Sequence, residues 1–159
     1  MDETAKTGDE WYMGRALALA REAETAGEVP VGAVVVLNGV IVGEGHNAPI
    51  ALNDPTAHAE MQALRAAAEQ LGNYRLTGAT LYCTLEPCPM CAGALVHARV
   101  ARLVFGARDL RFGGVRSKFQ IADSPLLNHQ VEIVEGVLAA DCTSALKEFF
   151  ERKRPADSL

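Results

Sequence analysis

The stretch Glu86-Pro87-Cys88-Pro89-Met90-Cys91, read with Thr56-Ala57-His58-Ala59-Glu60 upstream, is what the rest of this chain is built around. Cys88 and Cys91 stand at i and i+3, so the first turn of a helix turns both sulfurs toward one point. Zinc takes thiolates and imidazole at about 2.0–2.3 Å. His58 supplies the third ligand, and Glu60 is a carboxylate set beside the metal rather than on it. A structural zinc site is normally closed by four protein ligands, whereas a catalytic one keeps three and leaves a position for water. Three ligands and one acid make the count of a hydrolytic site.

A lone C-x-x-C also suits redox pairs and zinc ribbons. A four-ligand structural site would need Cys83, His97 or His129 as its fourth member, and the sequence holds no second C-x-x-C or H-x₃-H pair. A redox pair would leave His58 and Glu60 without a role. H-x-E followed by P-C-x-x-C is far more specific, being the established signature of the zinc nucleobase deaminases.

The 159 residues fit one domain, with 1–8 and 155–159 read as loose tails, and are enough to bury a core. No apolar run approaches the roughly 18 residues that span a bilayer. The opening MDETAKTGDE has neither the basic nor the apolar region of a signal peptide. Four cysteines in an unexported chain read as ligands or core residues, and the expected compartment is the cytoplasm. The net charge of −5 argues against a nucleic-acid partner until its distribution is considered. Residues 1–98 hold 5 Lys/Arg against 12 Asp/Glu, while residues 99–159 hold 10 against 8. That asymmetry allows a local basic face on an acidic body, although charge clusters are commonly just solvated surface.

Along the chain, Thr7 or Asp9 is expected to cap a helix over about 10–26, stopped by Gly27 and barred by Pro30. Residues 33–37 and 40–42 flank Asn38-Gly39, a strong hairpin signal. Residues 43–49 read as a loop. Asp54-Pro55 reads as the start of a helix to Leu71 that Gly72 ends. Residues two apart do not share a helix face, so His58 and Glu60 can meet one water only at an irregular helix start, or if the glutamate reaches round. A strand over 79–84, a helix over 89–97, strands over 102–106 and 130–135, and a helix over 137–154 complete the series. Alternation of strand and helix after the hairpin implies parallel strands with right-handed crossovers. The expected fold is a three-layer α/β/α sandwich around a five-stranded mixed sheet, with its site at the carboxyl ends of parallel strands.

Residues 107–129 carry Arg108, Arg111, Arg116 and Lys118 beside Phe112 and Phe119. Such a long segment is functional or hides a short helix. Basic residues interleaved with aromatics suit single-stranded nucleic acid, and a solvated lid over its own phenylalanines suits the same pattern.

From Trp11 to Arg154 the chain resembles the bacterial tRNA-specific adenosine deaminases. The pieces that carry the resemblance are Val29–Val34, Gly43–Asn47, Asp54–Glu60, Asn73–Leu76, Thr84–Gly93, Phe105–Asp109 and Asn128-His129. The resemblance implies a cytidine-deaminase-like fold, one zinc per subunit and a homodimer acting on the anticodon stem-loop of tRNA. It also implies His58, Cys88 and Cys91 as zinc ligands and Glu60 as proton shuttle. Asn47 would hydrogen-bond the extruded nucleoside in a pocket lined by Val31, Pro87 and Ala59, with Arg108 and Asp109 near the RNA backbone. The stretch Asp109–Lys118 is bulkier and more basic than the small-residue stretch common in that family. Pro89 also occurs in guanine deaminases, so a free guanine or cytosine deaminase using the same zinc chemistry is the alternative. A nucleic-acid-binding module with a structural zinc would bind tRNA without releasing ammonia.

Overall fold

The computed structural model describes the backbone of residues 2–157 and the side chains of residues 8–153. Its elements run α1 (Asp2–Thr25), β1 (Gly32–Leu37), β2 (Val40–His46), α2 (Pro49–Leu52), α3 (Ala59–Leu71), β3 (Thr80–Leu85), α4 (Pro89–His97), β4 (Arg102–Ala107), β5 (Glu132–Glu135) and α5 (Ala139–Asp157). The five strands form one mixed sheet in the order β2-β1-β3-β4-β5. Strand β1 is antiparallel to both neighbours, while β3, β4 and β5 run parallel. The hairpin turns at Asn38 and Gly39, whose φ values of 52° and 76° are the left-handed pair that a tight hairpin needs.

Alternation along the strands divides the core in two. Ala33, Val35, Leu81, Cys83, Leu103 and Phe105 pack with residues of α3 and α4 on one face. Val34, Val36, Tyr82 and Val104 pack with α1 and with Cys142 of α5 on the other. Because both faces are covered, the central strands are apolar at nearly every position. This is the expected three-layer sandwich.

Several boundaries differ from expectation. Strand β2 runs through Gly43 and Gly45 to His46, where a loop was expected. A Cβ on either glycine would lie 2.4 Å from a carbonyl oxygen of α3, at Ala63 and Ala59 respectively. These glycines therefore mark a helix packed directly on the strand, not a break in it. Helix α3 starts at Ala59 rather than at Pro55, because Asp54 closes a local turn by accepting from the N–H and hydroxyl of Thr56. Helix α1 begins at Asp2 rather than near residue 10. Asp9 does not cap it; its carboxylate accepts hydrogen bonds from Tyr82 and Arg102 instead. Helix α5 continues to Asp157, past the expected end at 154. Of the expected tails, residues 1, 158 and 159 lie outside the described residues. The adjacent phenylalanines split as their spacing requires, Phe149 buried and Phe150 exposed.

Candidate active site

Two helix starts meet at the site. His58 is the N-cap of α3 and Cys88 the N-cap of α4, both with extended backbone. An N-cap residue has not yet entered the helical spiral, so its side chain need not follow the helix's angular spacing. That leaves His58 and Glu60, two apart, free to face one point, and Glu60 is close enough to His58 and Cys91 to feel both. Cys91 sits in the first turn of α4, with Pro89 in the first helical position where its missing N–H costs nothing.

The Nδ1 of His58 lies 3.5 Å from the Sγ of Cys88 and 3.5 Å from that of Cys91. One ligand atom from each of the three residues lies within 4.8 Å of the other two. Zinc–sulfur and zinc–nitrogen bonds of about 2.3 and 2.0 Å fit a cation among donors so spaced. Two soft sulfurs and an imidazole are also the donor set that zinc prefers. Cys83 lies in the buried strand β3 and is not in the cluster. His97 closes the far end of α4 and His129 binds the carbonyl of Val100 at 2.7 Å, so neither joins the cluster.

The electrostatics suit a metal. A hydrogen bond from Cys91, with a further one from His58, pulls the Cys88 thiol down to about 4. Its position at a helix N-terminus favours the thiolate as well. The Cys91 thiol is pushed far up, because it donates to Cys88 and is buried. The hydrogen bond to Cys88 raises His58. Metal binding therefore displaces protons from this cluster.

Glu60 is buried with 4% of its surface exposed, in the first turn of α3. Burial raises its pKa, against the pull of its own backbone N–H and of His58. A buried carboxyl beside the cluster is the kind of group that can serve as acid and base in turn.

The remaining expected site residues surround this cluster in sequence. Asn47 follows β2 and donates its N–H to the carbonyl of Val31 at 3.0 Å, which joins these two segments. Val31 and Ala59 are buried. Pro87 is buried too, and its carbonyl accepts from Gly114 at 2.8 Å. Arg108 is held in a bidentate pair with Glu135 at 2.8 and 3.1 Å, and Arg116 in another with Asp123, both contacts at 3.0 Å. Asp109 caps a turn by accepting from the N–H groups of Arg111 and Phe112. Arg152 pairs with Glu24. Among the described residues Arg111 and Lys118 make no ion pair. Leu110, Phe112 and Phe119 are all well exposed, so the lid whose phenylalanines tuck under it is not what forms.

Two buried carboxylates went unread in the sequence. Glu28 accepts from the N–H groups of Ile50 and Ala51 and so holds α2 just beyond Asn47. Glu86 accepts from Asp109, Val115, Arg116 and Ser117 of the long segment between β4 and β5. Burial pushes the Glu86 pKa up, but the Ser117 hydroxyl and these N–H groups outweigh it and hold the group ionised. The one available signal was an acid continuing an apolar strand, since a buried charge must be paired.

Residues 6–107 match the model of the cytidine and deoxycytidylate deaminase zinc-binding region. A tRNA-specific adenosine deaminase of Haemophilus influenzae is 52% identical over 92% of this chain and 85% of its own. One of Bacillus subtilis is 47% identical over 93% and 92%. Among solved structures, one from work on A-to-I editing by tRNA:A34 deaminases at the wobble position superposes with a TM-score of 0.82. It is 43% identical and covers 85% of this chain and 98% of that one. A guanine deaminase from Nitrosomonas europaea gives a TM-score of 0.77 at 26% identity, covering 88% and 83%. A family match over residues 6–107 and relatives 52% and 47% identical over nine-tenths of the chain agree, and the chain belongs to the cytidine and deoxycytidylate deaminase zinc-binding family.

Proposed function

We propose that this protein hydrolyses the wobble-position adenosine of a tRNA anticodon to inosine, releasing ammonia. The observation that carries the hydrolytic reading is the buried Glu60 beside a cluster that, among the described residues, offers three ligands. The likeness to tRNA-specific adenosine deaminases over nine-tenths of the chain selects the base and the RNA.

His58, Cys88 and Cys91 would hold a zinc ion, which would supply the Lewis acidity that makes water a nucleophile near neutral pH. Glu60 accepts a proton from the attacking water and delivers it to N1 of adenine as the new C–O bond forms at C6. Glu60 then passes the second water proton to the amino group, which departs from C6 as ammonia. The Asn47 side chain orients the nucleoside, with Val31, Ala59 and Pro87 enclosing the base. Extrusion of the target base costs least in a loop where it is already unpaired. Arg111, Lys118 and the exposed Phe112 and Phe119 offer charge and stacking faces to that loop. Arg108 and Arg116 reach phosphate only by exchanging their carboxylate partners. We take the enzyme to work as a homodimer in the cytoplasm, where its substrate is. No helix among the described residues is long and apolar enough to cross a membrane.

The test is incubation with an anticodon stem-loop carrying adenosine at the wobble position, followed by nucleoside analysis. Inosine at that position supports the reading, and unchanged adenosine with a zinc-loaded enzyme refutes it.

A further inference from the structure

Glu86 immediately precedes Pro87-Cys88, is 1% exposed, and takes no part in the chemistry described above. Its two oxygens collect five hydrogen bonds from one short segment. Oε1 accepts from the N–H of Asp109 at 3.0 Å and from the Ser117 hydroxyl at 2.5 Å. Oε2 accepts from the N–H groups of Val115, Arg116 and Ser117 at 3.1, 2.7 and 2.9 Å. The same segment lies directly on the start of α4. A Cβ on Gly114 would stand 2.7 Å from the backbone nitrogen of Pro89, and one on Gly113 would strike the Glu86 carboxylate. Between these anchors the chain turns outward, presenting Leu110 and Phe112 at 74% and 67% exposure with Arg111 between them.

We propose that Glu86 is a positioning residue for substrate: its buried carboxylate locks residues 109–117 against the start of α4 that carries Cys88 and Cys91, so that Arg111 and Phe112 meet the RNA in one preset conformation. The inference rests on the tRNA reading above. Three N–H donors converging on a single oxygen need an acceptor-only partner, and a carboxylate is the side chain that meets this need on both oxygens. Segments ordered before binding lose less conformational freedom on binding, which appears as affinity. Glutamine at this position would turn an NH₂ group toward at least one of the N–H groups now satisfied.

The experiment compares wild type with Glu86→Gln and Ser117→Ala, each loaded with zinc. For Glu86→Gln we expect the stem-loop KM to rise about tenfold or more while kcat falls less than threefold, from the loss of several charge-assisted hydrogen bonds. Zinc content should stay at the wild-type level. Ser117→Ala removes one donor and leaves the carboxylate, so a smaller KM rise in the same direction is expected, which keeps the test alive should Glu86→Gln fail to fold. Tryptic cleavage at Arg111, Arg116 and Lys118 should accelerate in both variants, a readout that needs no RNA. If cleavage accelerates but even wild type leaves the stem-loop unchanged, the substrate reading fails and the anchoring stands. Unchanged cleavage and unchanged KM in both variants would overturn the proposal. So would a loss of zinc and active fraction at unchanged KM, which is the mark of a purely structural role.

Discussion

His58 and Cys88 cap two different helices, and the Nδ1 of one lies 3.5 Å from the Sγ of the other. The metal cluster is thus a junction between α3 and α4, so its geometry depends on both helices packing against the same face of the sheet. Removing Cys88 takes away a third of the donors together with its contacts to His58 and Cys91.

Cys88→Ala should lose zinc and activity together. Elemental analysis of the purified variant is the check, and full zinc occupancy would show that the ligand set is wrong.

Glu60→Gln should part metal from chemistry. The amide keeps the shape of the side chain but cannot shuttle a proton, and general acid–base help is worth about 10²–10⁴-fold. Normal zinc and RNA binding with kcat reduced by at least that factor is the expected outcome. A near wild-type rate would sink the role assigned to Glu60.

The five-stranded mixed sheet, its two covered faces and the cluster itself were legible because each has a short-range cause. Asn38-Gly39 dictates its hairpin, alternating apolar residues dictate the layers, and the Cys88/Cys91 spacing dictates a shared helix face. What escaped the sequence depends on distant partners. Gly43 and Gly45 look like a loop until α3 is laid on them, and Asp9 looks like a cap until Arg102 and Tyr82 arrive from the sheet. The arginines of the long segment were counted as available charge. Charge counts cannot reveal that Glu135 and Asp123 hold two of them.

Asp9 gives a pH-dependent contribution to stability. The hydrogen bond from Arg102 holds its carboxyl below the ordinary value of 3.8, with Tyr82 adding to this against partial burial. A depressed carboxylate contributes stability that is full above its unfolded pKa and is lost as pH falls through the folded value. Asp9→Asn should therefore cost about 1–3 kcal/mol at neutral pH. That gap should close as pH falls through the depressed pKa of Asp9. Urea denaturation of both proteins across this range checks it; a gap that persists once wild-type Asp9 is protonated would contradict the ion pair's role.

Arg111 and Arg116 should behave differently toward RNA. Each phosphate neutralised on a single strand contributes about −0.7 to the slope of log K against log salt. Arg111→Ala should flatten that slope by about this amount. Arg116→Ala should flatten it less, because Arg116 must first leave Asp123. Binding titrations of the stem-loop across a salt series read both. Equal effects would mean that the Asp123 pair does not restrain Arg116.

The proposed activity directs three-ligand zinc chemistry at an adenosine within RNA. Its most direct measurement is kcat/KM, taken with one zinc-loaded preparation, for a wobble-adenosine stem-loop, free adenosine, free guanine and free cytosine. Efficient conversion of the stem-loop and very poor turnover of every free base and nucleoside are expected. Ready turnover of free guanine or cytosine, with the stem-loop left untouched, would contradict it.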